Sequence, residues 1–160
     1  MDKYYYFVSQ LSFLTFGQES YIDREHFLDE AKKWLSDKDF SMISGVSLND
    51  FYSRDGDNEV LAEYKNFERA LREEIASFRK NESRVGTSFN LNLSEGTPLE
   101  IERTLLGLRW KFIESLEAGH FFDLEILILH FLKIQVLERL LTFDKGKGTV
   151  VFDKLCEVAG

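Results

Sequence analysis

Four ionisable residues in the C-terminal half of the chain could do chemistry together: Glu117, His120, Asp123 and His130. Glu117 and His120 have the Glu-x-x-His spacing that supplies half of a di-iron site in some helical bundles. A complete site needs a second copy of this spacing on another helix, and the sequence contains none. Gly119 also predicts a helix end between the two side chains. A small metal-dependent hydrolase that uses these four residues is therefore an alternative to a protein without catalytic activity.

Other signatures of catalysis are missing from the sequence. It has no Gly-x-Ser-x-Gly nucleophile elbow, and it has neither of the two common glycine-rich phosphate loops. The single Cys156 has no neighbouring histidine, and no Cys/His spacing suits zinc. We therefore expect a protein that is not an enzyme and that needs no metal or cofactor.

A row of basic residues lies on a predicted helix over residues 58–81: Lys65, Arg69, Arg72 and Arg79. In one interpretation the row is a solvated flank whose charges pair with acidic neighbours at helical spacing, namely Glu68, Glu73 and Glu74. In the other it contacts an acidic surface of a partner protein, because arginine gives bidentate and stacking contacts. The sequence leaves both interpretations open.

Two further predicted helices, over residues 98–118 and 124–145, carry charged residues among their apolar ones. Glu102 and Arg109 lie between two apolar stripes, and Glu138 and Arg139 lie in the segment HFFDLEILILHFLKIQVLERLLTF, residues 120–143. Breaking a buried ion pair by removing one partner is costly. We therefore predict that these are buried ion-pair residues, and that Arg109 or Arg139 pairs with Glu102 or Glu138.

The segment 120–143 is long enough to cross a bilayer, but its composition argues against a membrane span. Glu125, Lys133, Glu138 and Arg139 would each cost about 2.5 to 3.5 kcal/mol near the centre of a membrane helix. A helix that is apolar all round is instead expected in a protein core, or between its own domain and a partner. In that setting we predict that His130 is a hydrogen-bonded core histidine.

The spacing of apolar residues predicts a mainly α fold, a single helical bundle of about five to six helices spanning residues 1–160. Predicted helices cover 23–36, a short stretch from a cap at Asp37 to Gly45, 58–81, 98–118 after a capping box at Thr97 and Glu100, 124–145 after a cap at Asp123, and a last short helix beyond the GKG at 146–148. A loop is predicted at 83–96. The aromatic segment 4–11 also suits a strand, so helix and strand both remain open there.

Composition limits the class of protein. The chain has 160 residues, 44% apolar and 30% charged, as expected for one globular domain. A net charge of −8 argues against a general nucleic-acid binder, which needs an excess of basic residues. The N-terminus lacks the features of a signal peptide, and a lone cysteine suits a reducing compartment. We expect a cytoplasmic protein.

Four short stretches carry a resemblance to a known family: FERALR at 67–72, RW at 109–110, FD at 122–123 and LER at 137–139. With the order of the segments around them, they resemble a bacterial family of unknown function encoded within V-type ATPase operons. In those operons, genes of this family occupy the position expected for the gene of the C subunit, which is the central-stalk adaptor. Its members look like short helical relatives of that adaptor, which corresponds to the d subunit of eukaryotes. The chain departs from the family at Ser12, where a proline is expected, and it is far shorter than a full adaptor with its threefold helical repeat.

The resemblance implies a non-catalytic peripheral or assembly component of a rotary V-type ATPase. It implies a central-stalk adaptor in ion transport, similar to the C subunit, that acts through protein–protein contacts with other parts of the ATPase. Such a protein would be cytoplasmic and would reach the inner membrane only through the complex. A self-associating helical structural protein is a further alternative, and it predicts a stable homodimer.

Overall fold

A computed structural model describes residues 2–17, 23–79 and 96–159, with side chains described at 4–17, 23–79 and 96–142. These residues form six helices and no strand: α1 Asp2–Gln10, α2 Arg24–Trp34, α3 Asp37–Ser44, α4 Glu59–Arg79, α5 Pro98–Leu116 and α6 Leu124–Ala159. The predicted mainly α fold is confirmed. Most of the loop predicted at 83–96 lies outside the described residues, and the assignment of 1–160 to one domain stays a prediction.

Segment 4–11 lies almost entirely in helix α1, so the alternative of a strand there is wrong. Tyr4, Phe7, Val8 and Leu11 all pack against the core, and their spacing of three and four residues is that of one helix face. The ring of Phe7 lies 5.2 Å from the ring of Phe27 in α2. Packing against α2 therefore outweighs the β-propensity of the aromatic residues, which is strongly dependent on context.

Local capping explains where the next two helices begin. The side chain of Asp23 accepts a hydrogen bond from the backbone N–H of His26 at 2.8 Å and so begins α2. Helix α3 is capped by Ser36, whose Oγ accepts from the N–H of Asp39 at 3.3 Å. The predicted cap at Asp37 is therefore wrong by one residue, while Gly45 ends this helix as predicted.

The predicted start of α5 is confirmed, whereas its end at Leu116 comes two residues before the predicted end at 118. Thr97 and Glu100 form a reciprocal capping box, in which each side chain accepts from the other residue's backbone N–H, at 3.2 and 3.1 Å. After α5, Gly119 adopts φ +82°, a conformation that side chains with a Cβ rarely adopt, and the chain turns. Asp123 then caps α6 through the N–H of Ile126 at 2.9 Å.

Helix α6 packs against all five other described helices and is the centre of the bundle. It runs unbroken for 36 residues, so the helix end predicted at 146–148 and the separate last helix are wrong. Each glycine costs only about 1 kcal/mol relative to alanine in a helix interior, and extending an existing helix is easier than nucleating one. Within the described part of the chain, no helix is both long and apolar enough to cross a membrane.

Apolar residues recur along α4 at steps of three and four, which predicts one buried face: Val60, Tyr64, Phe67, Leu71, Ile75 and Phe78. The structure confirms this face only in part. Val60, Tyr64 and Leu71 are buried, whereas the other three residues predicted to be buried, Phe67, Ile75 and Phe78, are only partly so. Two charged side chains, Lys65 and Glu68, are buried instead. The core of this protein therefore contains charge, and the helices around it must provide partners.

Candidate functional site

The most deeply buried charge belongs to Glu68 of α4, which has no solvent exposure. Arg109 of α5 donates to both of its carboxylate oxygens, from Nε at 2.8 Å and from Nη2 at 2.9 Å. Arg72, one turn along α4, donates from Nε to Glu68 Oε1 at 2.9 Å. This bidentate, charge-assisted geometry is the strong form of an ion pair, and it joins α4 to α5.

Glu68 and Arg109 both remain charged although they are buried. Burial alone would raise the pKa of Glu68, but the hydrogen bonds and charges of Arg109 and Arg72 outweigh it and hold that pKa below its ordinary value. Burial would lower the pKa of Arg109, and the hydrogen bond to Glu68 raises it above its ordinary value. Both groups are therefore ionised at neutral pH.

Next to this network lies an open pocket of about 740 Å³ between α4, α5, α6 and the segment that joins α3 to α4. Four arginines and one glutamate line it, together with five other residues: Arg72, Arg79, Arg109, Arg139, Glu102, Asn49, Phe51, Ile75, Ala76 and Leu105. The pocket thus combines residues from the predicted basic row with residues predicted to form ion pairs. The sequence gives no sign that the two sets meet.

The four arginines differ in how they are held. Arg139 donates from Nη1 to Asn49 Oδ1 at 2.9 Å, and its Nη2 lies 3.0 Å from Glu102 Oε1. Arg72 and Arg109 are fixed by Glu68. The buried Nη1 of Arg109, however, has no hydrogen-bond partner among the described residues, and the exposed side chain of Arg79 forms no hydrogen bond or ion pair with any of them. Arg79 therefore gives the pocket unused donor capacity.

The predicted ion pairs are partly confirmed. Arg139 pairs with Glu102, as predicted, but Arg109 pairs with Glu68 rather than with Glu102 or Glu138. Glu138 instead accepts from the backbone N–H of Arg24 at 2.6 Å, and its other oxygen lies 3.4 Å from the Arg24 guanidinium. The prediction of burial is right for Arg109 alone, because the other three side chains are between 24% and 39% exposed.

The predicted partner-contact row needs correction at two of its four positions. Lys65 is 2% exposed, with Nζ 3.0 Å from Asp57 Oδ2 and 3.6 Å from Asp50 Oδ2. Arg69 donates from Nη2 to the Phe51 carbonyl and to Ser53 Oγ, both at 2.9 Å. These two side chains hold the segment before α4 against the helix, so they form part of the fold rather than a free contact face.

A row of exposed aromatic rings crosses α1, α2 and the turn before α6. Tyr5 lies 4.7 Å from Phe122 and 5.8 Å from Tyr6, and Tyr6 lies 6.0 Å from Trp34. Tyr5, Tyr6 and Phe122 are 51%, 54% and 49% exposed. We call these four residues the aromatic row. Sequence reasoning missed it, although the YYY at residues 4–6 is a visible signal of aromatic surface.

The residues predicted for a metal-dependent hydrolase are only partly brought together. His120 Nδ1 lies 2.7 Å from Asp123 Oδ2, and this hydrogen bond raises the pKa of His120. Glu125 completes a group whose possible ligand atoms lie within 4.8 Å of one another. Glu117, by contrast, pairs with Lys133 at 2.6 Å.

His130 is also placed away from that group, and its predicted hydrogen bond is wrong at one nitrogen. Its ring stacks on Phe27 with a centroid distance of 5.8 Å, and the buried Nε2 has no hydrogen-bond partner among the described residues. Burial, with a smaller contribution from the charge of Lys133, lowers the pKa of His130 to about 4. The imidazole is therefore neutral at physiological pH and acts as an aromatic core residue.

Comparisons with protein-family models, with curated proteins and with solved structures gave no match for this chain. These comparisons therefore assign neither a family nor a function to the chain.

Proposed function

We propose that this protein is a non-catalytic helical adaptor that binds a component of a rotary V-type ATPase, in the central stalk or during assembly. The ATPase assignment rests on the sequence resemblance. The observation that carries a role in protein–protein contact is the aromatic row, in which three of the four rings are about half exposed. The proposal places the contact on this surface.

Exposed aromatic rings in mutual contact are suited to protein recognition. Tyrosine, tryptophan and phenylalanine are enriched in interfaces, because they bury a large apolar area while losing few rotatable bonds. Tyr5 and Tyr6 also carry hydroxyl groups that can hydrogen-bond at the rim of a contact. Because the rings already touch one another, part of the ordering that binding requires is complete before a partner arrives.

The charged residues that carry the resemblance serve the fold. Glu68 and Arg72 of the FERALR stretch belong to the network with Arg109, and Arg69 binds the segment before α4. Glu138 and Arg139 of the LER stretch pair with α2 and α5. The resemblance thus falls largely on residues that hold helices together, and this leaves the contact with a partner to other surfaces.

Co-purification tests the proposal. We expect the tagged full chain, expressed from its own operon, to recover ATPase subunits at moderate salt, and Tyr6→Ser to lose most of that recovery. Phe13→Ser is the matched control, because Phe13 is 93% exposed and makes no ring contact with the aromatic row. If the wild-type chain recovers none of the ATPase subunits, the proposed function is wrong.

A metal-dependent activity is the second candidate, favoured by the grouping of His120, Asp123 and Glu125. Nitrogen and carboxylate ligands in this number suit a divalent metal such as zinc. Metal analysis after dialysis separates the two candidates. A stoichiometric metal that disappears in His120→Ala would favour the hydrolase, whereas the adaptor proposal expects the same low metal content in both proteins.

Self-association through the aromatic row is the remaining alternative. A twofold dimer would place the same surface of each copy in contact and would bury these rings. Gel filtration with light scattering measures this directly. The adaptor proposal expects a monomer, and a stable dimer that dissociates in Tyr6→Ser would favour the self-associating structural protein.

A further inference from the structure

We infer that the arginine-lined pocket is a binding site for a small phosphate monoester. This site is distinct from the aromatic row and goes beyond the proposed adaptor function. The pocket is bounded by α4, α5, α6 and the segment containing Asn49 and Phe51. Its volume of about 740 Å³ falls within the range of about 300 to 1,000 Å³ typical of small-molecule sites.

The first reason is the number of guanidinium donors left over by the fold. Arg72 and Arg139 line the pocket, and their side chains are 40% and 39% exposed. A guanidinium has five N–H groups, and each of these two arginines uses only two of its nitrogens on described residues. The remaining N–H groups can donate to a ligand oxygen. The Nη1 of Arg109 also has no hydrogen-bond partner among the described residues, but it is buried, so Arg109 contributes charge to the pocket rather than a contact.

The second reason is charge. Arg72, Arg79, Arg109 and Arg139 line the pocket, and the carboxylates paired with three of them are those of Glu68 and Glu102. Four positive and two negative charges leave two positive charges. A phosphate monoester carries about −1.5 to −2 at pH 7 and would neutralise them, whereas a single carboxylate would not.

The third reason is how the donors are positioned. Salt bridges hold Arg72, Arg109 and Arg139 in place before any ligand binds, which lowers the ordering cost of binding. The side chain of Arg79 is exposed and forms no hydrogen bond or ion pair with the described residues, so it can move toward a bound phosphate. Arginine is suited to this task because its planar fork matches phosphate oxygens.

The lining also provides a place for the organic part of an ester. Phe51, Ile75 and Leu105 contribute apolar surface beside the arginines, and the guanidinium of Arg72 lies 4.6 Å from the centroid of the Phe51 ring. An ester with an apolar or aromatic group can therefore place its phosphate on the arginines and its ring against this surface. Inorganic phosphate would contact the arginines but not the apolar surface.

Calorimetric titration of the full chain tests the inference, with phenyl phosphate, inorganic phosphate and succinate as probes in low-salt buffer. We expect saturable binding of one phenyl phosphate with a dissociation constant below about 1 mM, and weaker binding of inorganic phosphate. Succinate, a dicarboxylate without tetrahedral geometry, should bind more weakly than phenyl phosphate. If succinate binds as tightly, the phosphate assignment is overturned.

Three variants locate the site. Arg79→Ala should weaken phenyl phosphate by about tenfold, because it removes one charge-assisted contact without removing any bond in the fold. Glu102→Gln should strengthen binding, because it removes a competing negative charge. Lys111→Ala removes an exposed cation of α5 outside the pocket and should leave affinity unchanged. No saturable binding, or equal affinity in wild type and Arg79→Ala, would overturn the inference.

Discussion

Two groups of ion pairs in this bundle differ mainly in their contact with solvent. Glu68, Arg109 and Arg72 join α4 to α5, with Glu68 fully buried and Arg109 nearly so. Arg24–Glu138 and Arg139–Glu102 join α6 to α2 and to α5, with side chains between 24% and 51% exposed. The chemistry is the same in both groups, but water hardly reaches Glu68 and Arg109, whereas it reaches every residue of the second group.

The difference in exposure separates two roles. A buried pair must be complete, because removal of one partner leaves a charge in a medium that solvates it poorly. An exposed pair is screened, and water replaces a missing partner at little cost. We therefore expect the buried group to decide whether α4 and α5 pack, and the exposed pairs to adjust α6 by small increments.

The largest effect should come from Arg109→Ala. This substitution leaves Glu68 buried with only Arg72 as a cationic partner, and it should lower the free energy of unfolding by about 3 to 5 kcal/mol. Urea denaturation followed by circular dichroism measures this. Lys111→Ala, on an exposed position of the same helix, is the control and should change stability by less than about 0.5 kcal/mol. A loss below about 1 kcal/mol for Arg109→Ala would remove the contrast between the two groups.

A pH titration of stability should reveal His130. Its pKa falls from an ordinary value of 6.5 to about 4 in the folded state, so the unfolded chain binds more protons between these values. Stability should therefore decrease as pH falls from about 6.5 to 4, by up to about 3 kcal/mol. His120 acts in the opposite direction, because Asp123 raises its pKa, but solvent screens this contribution.

The control for this titration is His130→Leu, which should flatten the dependence across that window. Glu68, whose folded pKa is lowered, contributes stability above its unfolded value near 4.5, and this stability is lost as pH falls further. An equally steep decrease between pH 6.5 and 4.5 in His130→Leu would show that another group is responsible.

The contact of Lys65 with Asp57 and Asp50 is intermediate in exposure between the two groups of ion pairs. Lys65→Met keeps much of the side-chain volume but removes the cation from Asp57 and Asp50, whose side chains are 13% and 18% exposed. Since water can partly solvate the two carboxylates, we expect a loss of about 1 to 3 kcal/mol in thermal or chemical denaturation. A neutral effect would mean that these three residues behave as the exposed pairs do.

The smallest effect is expected for Arg139→Ala. Its side chain is 39% exposed and pairs with Glu102, so its removal should cost about 0.2 to 1 kcal/mol. A double-mutant cycle with Glu102→Gln isolates the pair from other effects. A coupling energy above about 2 kcal/mol would place this pair with the buried group.

Much of the bundle can be predicted from local sequence. The capping box at Thr97 and Glu100 marks the start of α5, and the helical spacing of apolar residues indicates α2 and α4. The Arg139–Glu102 pair could also be predicted, because both residues lie among apolar neighbours. In α1 the helical spacing from Tyr4 to Leu11 is present, but the β-propensity of its aromatic residues obscures it.

The burial of Glu68 could be predicted from the sequence, but its pairing with Arg109 could not. Glu68 lies between Tyr64 and Leu71 on the buried face of α4, so spacing alone could have indicated its burial. Its partner Arg109 is 41 residues away, and one sequence does not reveal which distant residue packs against it. The pocket depends on the same long-range packing of three helices, and for this reason the basic row and the ion-pair residues could not be recognised as one site.

In the proposed adaptor, charged residues serve the fold while aromatic rings make the contact with a partner. Recovery of V-type ATPase subunits by the tagged chain can be measured from about 0.1 to 1 M salt, a range over which the Debye length falls from about 10 to 3 Å. We predict that recovery persists at high salt and is lost in Tyr6→Ser. Recovery that disappears at high salt and survives Tyr6→Ser would show that charged residues make the contact instead.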